Sequence, residues 1–384
     1  MKRFFIAAVS VLALSALFSC EQKIEPVPIA PIILDVVMPA ESQAMPGTTI
    51  TVKGLGFSKE DVITCKSKAG EEDFVAEITE VTNYDISFRI PESAGGEYEL
   101  VVTRNELSTV LPATLKVPFV VLLKNVVMPS GVQRRGSAIT IEGEGFAEGD
   151  VLRFESDAYP SGASFTVNAT CTDKGLSCTL PEGVYSVNSV TVVRGERINN
   201  LGNVSVAVDK FSKVSGGYAF YLSDNGVHGL VVYPAAIGGA SVNWGPSVPN
   251  DYAAASSPDI YKGKSNTAAL VKQAADTRSI YAYEHDTPAE ACAKLSLKDG
   301  DLTYSDWFLP SQNELIELFK VKSQIAEAGF AIPANNYWSS TEFDYSGGWV
   351  WANYYVNFYE ETNIVTNGAD RGGWAIGTLA VRQF

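Results

Sequence analysis

The 384-residue sequence has only two histidines, His228 and His285. That nearly excludes a multi-histidine metal site and leaves little for imidazole acid–base chemistry. Basic residues are scarce: 29 Lys and Arg stand against 44 Asp and Glu, a formal charge of −15. This balance argues against a nucleic-acid partner, whose phosphates must be met by cations. After the first twenty residues no apolar run reaches the roughly 18 residues of a membrane-spanning helix. Tryptophan is missing from the first 243 residues, all six lying between Trp244 and Trp374, so the chain has at least two regions of different character. What remains is 46% hydrophobic and 19% charged, far too apolar for disorder and long enough for two or three domains.

Lys2 and Arg3 precede an almost unbroken apolar run from Phe4 to Phe18, placed as a signal peptide is. The run ends in Leu17-Phe18-Ser19-Cys20, which resembles the lipobox of bacterial lipoproteins. The resemblance implies cleavage after residue 19 and a lipid on the Cys20 thiol. The protein is then expected in the cell envelope as an outer-membrane, surface-exposed lipoprotein that meets the membrane through its acyl chains alone. Residues 20–31, polar and proline-rich, read as a tether.

The middle of the chain repeats at an offset of about 90 residues. Val36 to Pro39 (VVMP) returns as Val126 to Pro129, and Thr49 to Phe57 (TITVKGLGF) as Ala138 to Phe146 (AITIEGEGF). Asp61-Val62 returns as Asp150-Val151, and Val101 to Arg104 (VVTR) as Thr191 to Arg194 (TVVR). Matches in one order at near-constant spacing mark two copies of a unit. Short alternating runs broken by Gly, Pro and Asn predict antiparallel sandwiches, with Ile50, Val52 and Leu55, and Ile139 and Ile141, forming apolar faces. The strand and Gly-x-Gly-Phe turn resemble IPT/TIG domains, which implies two all-β immunoglobulin-like domains over residues 32–117 and 118–209. As a pair they read as a rigid spacer. Cys171 and Cys178 flank a hairpin expected to turn at Lys174-Gly175, which would set them opposite one another, and export permits a disulfide there. Cys65 and Cys292 have no evident partners and read as buried small hydrophobes.

From about residue 210 the texture changes. Asn266 precedes one helical run; Thr287-Pro288-Ala289-Glu290 and Ser311-Gln312-Asn313-Glu314 are capping boxes that open two more. With strands around Tyr218–Leu222, Gly229–Tyr233, Val350–Phe358 and Leu379–Phe384, residues 210–384 read as an α+β domain. Asp306 to Ser311 (DWFLPS), Tyr337 to Glu342 (YWSSTE) and the closing Val381-Arg382 strongly resemble the Legionella collagen-like protein C-terminal domain family. That resemblance implies a C-type-lectin-like fold and a binding role. Trp307, Leu309, Pro310, Tyr337 and Trp338 are expected in core and turns, with His228 a hydrogen-bonded turn residue.

Sugar recognition needs flat apolar faces for pyranose C–H groups and planar amides or carboxylates for hydroxyls. The segment 335–374 supplies both, and its candidate ligand residues are Glu342, Asp344, Trp349, Trp351, Asn353, Tyr355, Arg371 and Trp374. Alternation sets Trp349, Trp351, Asn353 and Tyr355 on one strand face. No metal site or other cofactor is expected. Calcium is the one alternative, since Glu342, Asp344, Asn353 and Asp370 offer oxygens, but the Glu-Pro-Asn and Trp-Asn-Asp motifs of calcium-dependent lectins are absent. Basic residues are sparse after Lys322, which favours a neutral glycan or a surface protein over a sulfated polysaccharide. The preferred reading is a lipid-anchored binding protein for adhesion or polysaccharide capture. Its alternative is an assembly subunit of a surface complex or pilus tip. An enzyme is disfavoured: formylglycine-generating enzymes of lectin-like fold use a cysteine pair, whereas Cys292 stands alone in this domain.

Overall fold

The computed structural model describes residues 29–242, 257–281, 285–343, 352–370 and 376–384. They belong to two compact units, divided between Pro118 and Phe119.

In the first unit the alternating runs become eight strands: β1 (Leu34–Val37), β2 (Thr49–Leu55), β3 (Val62–Ser67), β4 (Phe74–Val75), β5 (Glu77–Val81), β6 (Asp85–Arg89), β7 (Gly96–Arg104) and β8 (Leu107–Val117). They form two sheets, ordered β1-β2-β6-β5 and β4-β3-β7-β8. Ile50, Val52 and Phe88 from one sheet share a core with Ile63, Leu100 and Val102 from the other. Leu55 departs from the expected apolar face. It has the opposite parity to Ile50 and is 38% exposed, while Gly54 takes the inner position. Gly56, at φ +115°, allows the close approach that follows: a Cβ there would sit 2.3 Å from the Ile32 carbonyl oxygen.

The next nine strands are β9 (Lys124–Val127), β10 (Val132–Arg134), β11 (Ala138–Glu144), β12 (Val151–Glu155), β13 (Ser164–Asn168), β14 (Thr170–Thr172), β15 (Gly175–Thr179), β16 (Ser186–Arg194) and β17 (Arg197–Ala207). The sheets β9-β11-β15-β14 and β13-β12-β16-β17 reproduce the first unit strand for strand, with β10 added in parallel beside β17. The sequence repeat is a repeat of fold. One ion pair recurs in both copies. The buried Asp61 carboxylate accepts from Arg104 Nε and Nη2 at 2.7 and 3.0 Å and from the Ser58 N–H at 2.8 Å. The buried Asp150 carboxylate accepts from Arg194 at 2.6 and 2.8 Å and from the Ala147 N–H at 2.9 Å. Each arginine also donates to the carbonyl of the turn glycine, Gly56 or Gly145, at 2.8 Å. Thus the arginine ending each VVTR-like strand ties that strand to the glycine turn, and neither carboxylate is left buried without a counter-charge.

The expected disulfide does not form. The hairpin turns one residue earlier, at Asp173-Lys174, with Thr172 opposite Gly175 and Cys171 opposite Leu176. The two cysteines are therefore diagonal neighbours, whose Cα atoms lie roughly 7–8 Å apart in ordinary sheet geometry, at or past the limit for a bridge. Both are free thiols.

Beyond residue 209 lies an α+β head. One sheet orders Lys213–Val214, Gly217–Ser223, His228–Val232 and Val381–Gln383; another orders Ile237–Val242, Ile376–Thr378, Asn336–Phe343, Ala352–Asn357 and Thr366–Asp370. Helix α1 (Gly263–Tyr281) begins before the expected Asn266, which is buried and donates to the Ser257 carbonyl at 2.7 Å. Both capping boxes form, at α2 (Pro288–Ala293) and α3 (Gln312–Lys320), and α3 breaks at Val321 before the short α4 (Lys322–Glu327). Trp307, Leu309, Tyr337 and Trp338 are buried, as their motifs predict. Glu314, the acidic member of the second box, is fully buried and accepts from the Ser311 and Gly263 N–H groups. Burial pushes its carboxyl up to about 7 against the pull of those amides.

Candidate functional site

The second sandwich and the head share a core. Tyr159 and Tyr185 from the sandwich pack in one cluster with Trp307, Trp338 and Phe384 from the head. Edge-to-face contacts run Phe165–Tyr159–Tyr185–Phe384, with ring centres 5.0, 5.0 and 5.6 Å apart. The polar atoms of this joint are met. The Tyr159 hydroxyl donates to Asn188 Oδ1 and accepts from the Tyr185 N–H at 3.2 Å. The Tyr185 hydroxyl lies 3.2 Å from both the Ala158 carbonyl oxygen and Ser215 Oγ. Burial holds the Tyr159, Tyr185 and Tyr304 phenols above their ordinary range, so all three stay protonated at neutral pH.

Arg382 closes the joint. Its side chain is 2% exposed; Nε donates to the Asp306 carboxylate and Nη2 to the Ala158 carbonyl at 2.7 Å. The guanidinium carbon stands 4.9 Å from the centre of the Tyr304 ring. Lys264 Nζ approaches the same Asp306 carboxylate at 3.8 Å.

Beside this joint lies a cleft of about 910 Å³, within the range of roughly 300–1,000 Å³ usual for small-ligand sites. The sandwich contributes residues 155–163 and polar side chains of the β16–β17 pair, among them Ser186, Ser189 and Asn203. The head contributes His228, Lys264, Asp306, Arg382 and Gln383. Tyr159 and Phe384 also line it, but at 5% and 4% exposure they offer no ring face to a ligand. His228 opens a strand opposite Ser223 and is half-buried.

The candidate residues read from sequence divide. Glu342 pairs with Asn353 across neighbouring strands, and Tyr355 lies opposite Trp338 and Asn367. Asn353 is wholly buried and its amide donates to the Ser339 carbonyl at 3.1 Å, so it serves the core instead of an exposed face. Tyr355 packs half-buried on the core that holds Trp338. Asn353 and Tyr355 share one face of their strand, and that face packs toward the core. Glu342 is half-buried. Asp344, Trp349, Trp351, Arg371, Trp374 and the lipidation candidate Cys20 lie outside the described residues.

Among the described residues no group of three or more His, Cys, Asp or Glu side chains is arranged to hold a metal. Burial pushes the Cys65 thiol up to about 12 and the Cys178 thiol up to about 11, and raises Cys292 as well, which keeps these sulfurs protonated and poorly nucleophilic. The residues that sequence reasoning missed are those of the 155–163 loop and the joint. Arg382 and Ala158 are 224 positions apart, and no local pattern announces such a contact.

Residues 31–117 match the IPT/TIG domain family. No curated protein matches the chain. Similar solved structures include SGBP-B of the Bacteroides ovatus mixed-linkage glucan utilization locus in complex with a mixed-linkage heptasaccharide, at 15% identity over 52% of each chain and a TM-score of 0.20. The surface glycan-binding protein PbSGBP-B from Prevotella bryantii is 13% identical over 58% of this chain and 49% of its own, with a TM-score of 0.26. The Yersinia pseudotuberculosis adhesin InvE is 14% identical over 90% of this chain and 96% of its own, with a TM-score of 0.23. The chain spans about half the length of the Bacteroides ovatus protein. At these TM-scores the three likenesses carry no argument about function.

Proposed function

We propose that the protein is exported, anchored through a lipid on Cys20 and displayed at the cell surface, where its C-terminal unit binds a glycan without turning it over. In this reading the first sandwich is a spacer. The head is C-type-lectin-like and related to the Legionella collagen-like C-terminal domains, by the motifs at Asp306–Ser311 and Tyr337–Glu342. The observation that carries the proposal is the cleft of about 910 Å³ set on a sealed aromatic joint. It is roomy, and hydroxyl, amide and carboxylate groups line it together with apolar side chains such as Pro160 and Val187. The buried, protonated thiols favour binding over nucleophilic chemistry. Aromatic residues of the segment 344–374, Trp349 and Trp374 among them, remain candidate contacts for the same ligand.

Two experiments test this. Radiolabelled fatty acid fed to expressing cells should label the protein, and Cys20→Ser should abolish the label. The full chain without residues 1–19, applied to a glycan array, should retain a defined subset of glycans. An array with no signal, together with co-purification of a stoichiometric envelope protein, would favour an assembly subunit instead.

A further inference from the structure

Resting on that reading, we infer that the cleft between the second sandwich and the head is the ligand site, that it takes an uncharged, hydroxyl-rich saccharide, and that the immunoglobulin-like module supplies part of the site as well as a place in the stalk.

The charge pattern comes first. Lys264 and Arg382 flank Asp306 on the head. On the sandwich, Arg153 stands 3.5 Å from Glu155, and Asp157 is exposed nearby. Two lining cations therefore meet three lining carboxylates, and Arg153, outside the lining, offsets Glu155. An acidic sugar placed here faces the carboxylates, and an amino sugar faces Lys264 and Arg382. Neither gains a net counter-charge for the water it gives up. A hydroxyl both donates and accepts, so it pairs equally with a carboxylate oxygen and an N–H group.

The second observation is an unmet donor. Arg382 satisfies Asp306 through Nε and Ala158 through Nη2, but its Nη1 is buried with no hydrogen-bond partner among the described residues. A buried donor without an acceptor is costly. Asp306 already neutralises this guanidinium, so no additional carboxylate is called for; Nη1 itself is sealed from the cleft, and the groups a ligand reaches are the exposed Lys264, Asp157 and Ser161.

The third observation concerns ring faces. Tyr159 and Phe384 are sealed within the joint, so they offer a ligand no ring face, and the apolar part of the lining includes Val187 at 38% exposure. Asp157 and Ser161, both exposed on the 155–163 loop, lie on the sandwich side of the cleft. That loop is fixed to the head through the Ala158 carbonyl, which takes the Arg382 bond.

The test uses the full chain without residues 1–19 and three probe sets of five to seven sugar units: neutral gluco-, xylo- and manno-oligosaccharides, galacturonate oligomers, and chitosan oligomers. Calorimetric titration should register binding within the neutral set alone. Asp157→Ala should weaken it by about tenfold or more, as loss of a hydrogen bond to a charged group does. Ser161→Trp, which fills the cleft from an exposed position, should abolish it, with circular dichroism and the unfolding midpoint unchanged in both variants. Neutral binding that survives Ser161→Trp would move the site elsewhere, and preferential binding of galacturonate or chitosan would overturn the ligand class. Either result leaves the broader glycan-binding reading intact. Absence of binding in all three sets, with no array signal, would defeat that reading itself.

Discussion

Replacing Tyr185 by alanine should destabilise a domain that does not contain it. Tyr185 lies in the second sandwich, is 1% exposed, and touches Tyr159 at 5.0 Å and Phe384 at 5.6 Å between ring centres. Truncating a buried aromatic of this size costs about 3–5 kcal/mol, and each edge-to-face pair lost adds about 0.5–1.5 kcal/mol beyond its area. With a urea slope of about 3 kcal/mol/M, the midpoint should fall by roughly 1.3–2.7 M. The assay is built into the sequence. All six tryptophans follow residue 243, so indole fluorescence reports the head alone, and Trp307 and Trp338 are buried enough to respond sharply to its unfolding. The tryptophan-detected transition should therefore move with the far-ultraviolet circular dichroism transition of residues 119–384. Tyr185→Phe, which keeps the ring and loses the hydroxyl near Ala158 and Ser215, should cost only about 1 kcal/mol. The reasoning is refuted if Tyr185→Ala leaves the tryptophan midpoint where it was while the sandwich loosens.

The repeated ion pair predicts an asymmetry: Arg104→Ala strands the buried Asp61 carboxylate and should cost about 3 kcal/mol in denaturant titration, whereas Asp61→Asn, which leaves a partly exposed arginine free to hydrate, should cost less. Glu314 predicts a pH dependence. Its folded value of about 7 lies above the unfolded carboxyl value of about 4.3, so its contribution is fully present below the unfolded value and is lost as pH rises through 7. Between pH 5 and 8 this loss should reach roughly 3 kcal/mol, and Glu314→Gln should flatten the slope; an unchanged slope would place the titration elsewhere. Alkylation of the native protein at pH 8 should spare Cys65 and Cys292, and alkylation after unfolding without reductant should modify Cys171 and Cys178 both. A mass consistent with a Cys171–Cys178 bridge would contradict the observed hairpin register.

What the sequence made legible was local. The glycine turns and the alternation at Ile50 and Val52 mark the sandwiches because each is set by neighbours in the strand or by one turn. The boxes at Thr287 and Ser311 predict their helices because a cap needs only four residues. The cysteine hairpin was misplaced by one position, since whether Asp173-Lys174 or Lys174-Gly175 turns depends on Gly175 sitting against the next strand, where a Cβ would meet the Ile141 carbonyl oxygen at 2.1 Å. Asn353 looked like a ligand group because an amide on a strand carries no label saying whether its partner is a sugar or the Ser339 carbonyl. The joint was invisible for a different reason. Tyr159, Tyr185, Arg382 and Phe384 each read as ordinary, and only folding brings them together.

Hydrogen exchange followed by mass spectrometry, on the full chain with and without a neutral oligosaccharide that binds, most directly tests whether the sandwich and the head receive a ligand together. Protection should rise in residues 155–163 and in the 381–384 strand at the same ligand concentration. Protection confined to the head, with the 155–163 loop exchanging as in the free protein, would contradict the account.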